Sequence, residues 1–301
     1  MISSESISRR EIDRAAIGNP ILLSTPVSIG IQEGLKRSPE ELANELDTAR
    51  MIQLSLLPKE FPKIPGFGLA GVCKSARHIG GDFYDALTLA GDRVLLVIAD
   101  VMGKGVPAAL FAASLCMLIR SMAGKSCRPA EFLARLNRQL FRELSNVDMF
   151  ITAQLALVDE QAGLVSIANA GHCPLLIANS EGETKAVAPE GLPLGVLSNG
   201  VYAEQTVSLQ ECTCALLYTD GVTEARNSHG EVFGSERLEG WLTRNAQAKR
   251  AAWQLKQDFL RQFRRFQSGA RSRDDFTLLV LAAENRCPNL PIQERDLHFA
   301  A

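Results

Sequence analysis

No secretory leader is legible at the start of this chain. Met-Ile-Ser-Ser-Glu-Ser-Ile-Ser-Arg-Arg runs into no apolar stretch. Nor is there an apolar run long enough to cross a bilayer, since the longest, residues 106–119, contains Pro107 and Ser114. A basic excess is missing too. Lys and Arg number 32 against 34 Asp and Glu, a formal charge of −2, which argues against a general nucleic-acid binder. The cysteines, at 73, 116, 127, 173, 212, 214 and 287, are odd in number and scattered, so they form no disulfide framework. Cys212 and Cys214 stand two apart in a strand-like run and are expected to share a face, with no second pair spaced for zinc. Free thiols imply a reducing compartment, and the chain reads as a cytoplasmic protein with neither membrane nor nucleic-acid partner. The triphosphate-binding spacing G-x-x-x-x-G-K-[ST] is also absent.

What is present is a core-forming chain of 301 residues, 46% of them hydrophobic, enough for one or two domains. Residues 1–37 are aperiodic, with scattered Ser, Pro and Gly, and read as a loosely ordered extension. A helix start follows at Ser38-Pro39-Glu40-Glu41. Ser38 caps it, Pro39 suits the first helical position, and Glu41 closes a capping box. Leu42, Leu46, Ala49, Ile52 and Leu56 make one apolar stripe, and Pro58 ends the helix. That stripe either packs on its own domain or pairs with a second copy, so residues 38–58 are a linker or regulatory helix that offers a homodimer contact. Strands are expected over 68–73, 93–99, 151–159, 165–170, 175–178, 203–208, 215–219 and 276–282, with a hairpin at 160–163. Helices are expected over 107–123, 129–144, 235–243 and 251–266. Hairpins with helices between them indicate an α+β layered domain over 59–284, followed by a tail at 285–301.

Four aspartates, Asp82, Asp100, Asp220 and Asp274, have no evident structural role. Asp100 ends the apolar run 94–99, Asp220 ends 215–219, and Asp274 precedes 276–281. If those three strands share a sheet, with the last antiparallel to the others, their carboxylates meet at one edge. At ~4 Å and an effective dielectric of ~20, each like-charge pair costs about 4 kcal/mol. Hard divalent cations with oxygen ligands are the natural filling, which makes the chain a candidate two-metal hydrolase. The turn Asp100-Val101-Met102-Gly103-Lys104-Gly105 lets backbone approach a ligand, so the Asp100 carboxylate and the Val101 carbonyl suit one metal.

A set of motifs occurs in a recognisable order: Gly80-Gly81-Asp82-Phe83-Tyr84-Asp85, Ala99-Asp100-Val101-Met102-Gly103-Lys104-Gly105, Asn169-Ala170-Gly171-His172, Gly191-Leu192-Pro193-Leu194-Gly195, Thr219-Asp220-Gly221 and Asp274-Asp275-Phe276-Thr277. Over roughly residues 40–283 the chain resembles bacterial serine phosphatases of the stage II sporulation protein E and RsbU type, within the protein phosphatase 2C superfamily. The resemblance implies two central antiparallel β-sheets sandwiched between helical layers and preceded by an N-terminal helix. It also implies two divalent ions, manganese or magnesium. By motif, Asp100 would bridge both ions, Asp82 and the Val101 carbonyl would hold one, and Asp220 and Asp274 the other. A water between the ions would attack a phosphoserine or phosphothreonine in line. No phosphoenzyme is expected, in keeping with the absence of any cysteine followed by five residues and an arginine.

Several residues keep two readings. Asp275 either assists Asp274 or replaces it, while Asp85 reads as a structural carboxylate behind the ligands. Arg77 occupies the place of the superfamily's phosphate-binding arginine and either forks onto phosphate or is a surface residue. His172 has the titration range of a general acid, yet its Asn-Ala-Gly-His-Cys-Pro setting reads as a structural turn between strands. Residues 191–195 read as a loop shaping the site. Arg261, Arg264, Arg265, Arg271 and Arg273 are a solvated helix end or a docking surface for an acidic or phosphorylated partner. The implied substrate is a phosphorylated anti-sigma-factor antagonist-like domain. The alternative is an inactive pseudophosphatase that binds partners, which would ordinarily have lost metal ligands; a nucleotide-acting two-metal enzyme lacks a visible base or triphosphate loop.

Overall fold

In β3 (Val94–Val101) the side chains are apolar as far as Ala99, and the strand is covered on both faces. Val94, Leu96 and Ile98 point one way and Leu95, Val97 and Ala99 the other, as the period of two requires. The first set meets the opposing sheet and the second meets helices, which is why the run reads as continuous rather than alternating. The computed structural model describes residues 38–123, 128–248 and 250–284. The expected extension at 1–37 and tail at 285–301 lie outside the described residues, as do Cys127 and Cys287.

The chain divides into two units, residues 1–42 and 43–301. Of the first, only the start of α1 (Pro39–Leu56) is described. There the Ser38 hydroxyl accepts from the Glu41 amide at 3.1 Å, and the Glu41 carboxylate accepts from the Ser38 amide at 2.8 Å, the expected capping box. No residue of α1 is buried, and Ile52 of its apolar stripe is 59% exposed.

The second unit continues through β1 (Phe67–Lys74), β2 (Phe83–Thr88), β3, α2 (Val106–Met122), α3 (Pro129–Ser145), β4 (Ile151–Asp159), β5 (Leu164–Ala170), β6 (Leu175–Ala178), β7 (Thr184–Val187), β8 (Glu204–Ser208), β9 (Cys214–Tyr218), α4 (Asp220–Thr223), α5 (Gly234–Ala246), α6 (Ala252–Gln267) and β10 (Phe276–Ala283). Two five-stranded antiparallel sheets result, in the orders β1-β10-β9-β6-β7 and β2-β3-β4-β5-β8. Ile98, Leu96 and Ile167 of one meet Leu217, Leu279 and Ile177 of the other in a central apolar layer. Helices α2 and α3 cover the outer face of the second sheet through Leu115, Ile119, Phe132 and Leu136. On the outer face of the first sheet, α5 and α6 bring Trp241, Leu242, Phe259 and Phe263. The α+β sandwich expected from the motifs is therefore the observed architecture.

Three expectations change. β3 does not share a sheet with β9 and β10, because β2 and β4 take both of its edges while β1 and β9 take both edges of β10. β2 and β7 are absent from the expected strands; glycines and aspartates crowd the start of β2, and Asp85 sits inside it. Cys212 and Cys214 face different layers, because Cys212 precedes the strand and the alternation does not reach it.

Asp85 is buried in β2 and is tolerated there because the Arg120 guanidinium donates to it at 2.8 Å. Arg120 also donates to the Leu56 carbonyl, joining the end of α1 to α2 and β2. Removing the cation strands a buried carboxylate, which costs about 3–5 kcal/mol for a dry pair and less here because Arg120 is a third exposed. Arg120→Met is expected to lower unfolding free energy by about 2–3 kcal/mol in urea titration, with Asp85→Leu recovering part of the loss in the double variant.

Candidate metal centre

The β2–β3 register pairs Phe83 with Ala99, so one step further sets Asp82 opposite Asp100. In the other sheet, Tyr218 pairs with Leu278, which puts Asp220, at the start of α4, and Asp274 just past the same end. Two sheets thus deliver four carboxylates to one mouth of the sandwich. Asp100, Asp220 and Asp274 line a cleft of about 280 Å³ together with Lys104, Phe150, Thr152, His172 and Cys173. Asp82 lies deeper, 4% exposed.

The charge crowding shows in the protonation behaviour of these acids. Burial and the neighbouring Asp100 push the Asp82 carboxyl well above the usual carboxylate range. Burial, followed by Asp220 and Asp274, pushes Asp100 up to about 7. Asp220 is raised by burial and by Glu224 and Asp274. Asp82 is steadied by the Thr219 hydroxyl, which donates to its Oδ2 at 2.7 Å and itself accepts from the Thr277 amide at 3.0 Å. Burial also holds the Cys173 thiol up at about 12, leaving it neutral and without nucleophilic character in this cleft.

Asp274 and Asp275 separate cleanly. Asp275 is 5% exposed and accepts from the Ala76 amide through Oδ1 and the Gly81 amide through Oδ2, both at 2.7 Å. It pins the loop that presents Asp82, and a β-carbon on Gly80 would collide with it. Asp274 faces the cleft, paired with Lys104 at 2.9 Å. Asp85 faces Arg120 rather than the cleft.

His172 is a turn residue. Its amide donates to Asn169 Oδ1 at 2.7 Å, and the Asn169 amide group donates back to its carbonyl at 2.9 Å. The Thr152 hydroxyl meets Nδ1 at 2.8 Å. Burial drives the imidazole down to about 4, with the Tyr218 backbone offsetting part of the shift, so the ring is neutral near pH 7. The exposed Arg77 lies along the turn after β3, its guanidinium 3.6 Å from where a β-carbon on Gly105 would stand. Arg273 borders the cleft through its backbone, whose carbonyl accepts from Lys104. Arg261 instead meets Asp258 at 3.2 Å.

Three supporting roles were not legible in the sequence. Thr219 stood out only as part of a motif, and Asp275 was indistinguishable from Asp274. Gln53 of α1 holds Gly80 by both ends of its amide, donating to the carbonyl at 2.7 Å and accepting from the amide at 3.1 Å. The only advance signal was a polar residue beside the helix's apolar stripe.

The donor set suits a hard cation. It is all oxygen, its acids carry more negative charge than their burial tolerates, and the missing β-carbon at Gly81 leaves room against the Val101 carbonyl, 2.6 Å from where that carbon would stand. Among the described residues, however, no three acidic, His or Cys side chains are gathered tightly enough to grip one ion. Asp82 accepts from Thr219, and Asp274 pairs with Lys104.

Known proteins share the family and the fold of this chain. Residues 90–284 match the Stage II sporulation protein E (SpoIIE) family. The chain is 31% identical over 271 residues to Protein IcfG of Synechocystis sp., covering 80% of this chain and 42% of that protein. To the phosphoserine phosphatase RsbU of Bacillus subtilis it is 27% identical over 250 residues, covering 82% and 72%. It therefore spans less than half of IcfG. Among solved structures, the SiaA-PP2C domain of Pseudomonas aeruginosa superposes with a TM-score of 0.69 at 25% identity, covering 81% of this chain and 97% of that one. The RsbU and RsbW domains of a Mycobacterium tuberculosis protein give 0.63 at 26% identity, covering 76% and 64%.

Raised acids tie stability to pH. With folded values above the unfolded carboxylate value of about 4, the folded chain binds more protons, so Asp100 loses stabilisation as pH rises from about 4 through about 7, and Asp82 acts in the same sense. His172 acts in the opposite sense between about 4 and about 6.5. In chelator, Asp100→Asn is expected to become more stable than wild type as pH climbs across that window, measured by urea unfolding; parallel pH profiles for the two proteins would contradict the assignment.

Proposed function

Because the chain belongs to the Stage II sporulation protein E family and has the sandwich of PP2C domains, we propose that it is a metal-dependent protein serine/threonine phosphatase. The observation that carries this reading is the meeting of Asp100, Asp220 and Asp274 from two sheets at one cleft, with Asp82 buried against Asp100 behind it and Asp100 raised to about 7 by burial and by its neighbours. The relative named a phosphoserine phosphatase supports phosphoserine as the group acted on.

In this reading Asp82, Asp100, the Val101 carbonyl, Asp220 and Asp274 are the residues that would hold two divalent ions. Manganese or magnesium would supply Lewis acidity toward a phosphate ester and generate a nucleophile from water at neutral pH. The chain's own residues do the positioning. Thr219 fixes the orientation of Asp82, and Asp275 fixes the loop that carries it. Thr152 and Asn169 hold His172 as a neutral wall of the cleft, so no proton is assigned to it. Arg77, beside the Gly103–Gly105 turn, supplies a guanidinium to the substrate phosphate at the mouth. The substrate we assign is a phosphorylated anti-sigma-factor antagonist-like domain, met in a reducing cytoplasm. No helix among the described residues is long and apolar enough to cross a membrane.

Control falls to α1. Through Gln53 the helix holds Gly80, two residues before Asp82, so displacement of the helix loosens the loop and shifts the population competent to bind metal. Gln53→Ala is expected to weaken manganese binding and lower turnover together, roughly fivefold each, for a lost pair of backbone hydrogen bonds. Unchanged manganese affinity in calorimetry would remove α1 from this role.

Turnover itself is the direct test. Manganese-dependent release of phosphate from a phosphoserine protein is expected in the wild type and a loss of at least about a thousandfold in Asp100→Asn. Bound manganese with no release from any phosphoprotein would favour the partner-binding pseudophosphatase.

A further inference from the structure

Lys104 lies between Gly103 and Gly105, whose φ angles of 93° and 75° turn the chain from β3 into α2. Its ammonium reaches across the cleft to the other sheet. Nζ donates to the Arg273 carbonyl at 2.6 Å and pairs with Asp274 Oδ2 at 2.9 Å. The other oxygen of Asp274 accepts from the Asp275 amide at 3.0 Å. Both oxygens of one proposed ligand are therefore occupied, and one of them by a cation that lines the same cleft as Asp100 and Asp220.

An ammonium and a divalent ion on the same carboxylate repel one another strongly at such short range. The two are alternatives at Asp274. Lysine is suited to the exchange, because its ammonium is a compact charge on a flexible stem and can leave without moving the backbone. It also has a way out, since both Lys104 and Asp274 are more than a third exposed. Asp82 accepts from the neutral Thr219 hydroxyl, which carries no charge to compete with an ion.

We infer that Lys104 is a tethered counter-ion that holds Asp274 in the metal-free protein and is displaced when a divalent ion binds there. The inference rests on the metal reading above. It makes the two ion sites unequal, with the Asp220–Asp274 side filling second because it must first release its lysine. Lys104 is thus a positioning residue acting through Asp274, and it sets the metal concentration at which the second site fills.

The test uses the full chain, with manganese alone as the probe. Lysines are acetylated briefly with and without manganese, and labelling at each position is read by peptide mass spectrometry. Lys104 labelling is expected to rise several-fold with manganese, while the exposed Lys185 on β7 stays constant. In calorimetry, Lys104→Met is expected to tighten the weaker manganese step by roughly tenfold, and Arg77→Met, which removes a charge at the same mouth without touching Asp274, by less than about threefold. Manganese binding that Asp100→Asn abolishes, accompanied by unchanged Lys104 labelling or by equal effects of the two charge removals, overturns the exchange while leaving the metal reading intact. No Asp100-dependent manganese binding at all overturns both.

Discussion

Like charges forced together at the mouth of a β-sandwich are the constraint on which the site is built. Asp82 and Asp100 face each other because β2 and β3 pair with Phe83 opposite Ala99, and Asp220 and Asp274 arrive from the other sheet at the same end. The rest of the local architecture holds this arrangement against its own repulsion. Thr219 bonds Asp82, Asp275 bonds two loop amides, and Lys104 neutralises Asp274. Burial then raises the Asp82 and Asp100 carboxyls, as a low-dielectric site demands.

The sheets make this possible because they are rigid on both sides. Each has one face in the central apolar layer and the other under a helix pair, so the strand ends are fixed to within the tolerance of a packed core. The site residues stand at strand ends and in the turns that follow, where a side chain can reach a cleft while its backbone belongs to the core. The same logic explains Asp85, a buried carboxylate paired with the partly exposed Arg120, whose guanidinium also grips the carboxyl end of α1. The helix, the loop before β2 and the first acid form one connected piece.

Much of this was legible in the chain, for identifiable reasons. Continuous apolar runs such as that of β3 announce strands buried twice over, and prolines near the starts of α2 and α3 mark where those helices begin. The four acids stood out because carboxylates at the ends of such runs have no packing role. β2 was hidden by the glycines just before it and by Asp85, whose burial is explained by Arg120, a residue 35 positions away. Sheet membership was hidden as well, because strand sequence does not say which edge is already taken. Asp274 and Asp275 are chemically identical neighbours, and only the amides of Ala76 and Gly81 distinguish a scaffold carboxylate from one facing the cleft. Gln53 was invisible for the same reason, since its partners are backbone atoms of a distant loop.

The central claim is that these carboxylates hold divalent cations, and anomalous diffraction from crystals soaked in manganese tests it most directly. The account predicts two anomalous peaks in the cleft, one bounded by Asp82, Asp100 and the Val101 carbonyl and the other by Asp100, Asp220 and Asp274, with Asp274 turned away from Lys104. A cleft with no anomalous signal at saturating manganese, and Asp274 still bonded to Lys104, would contradict it.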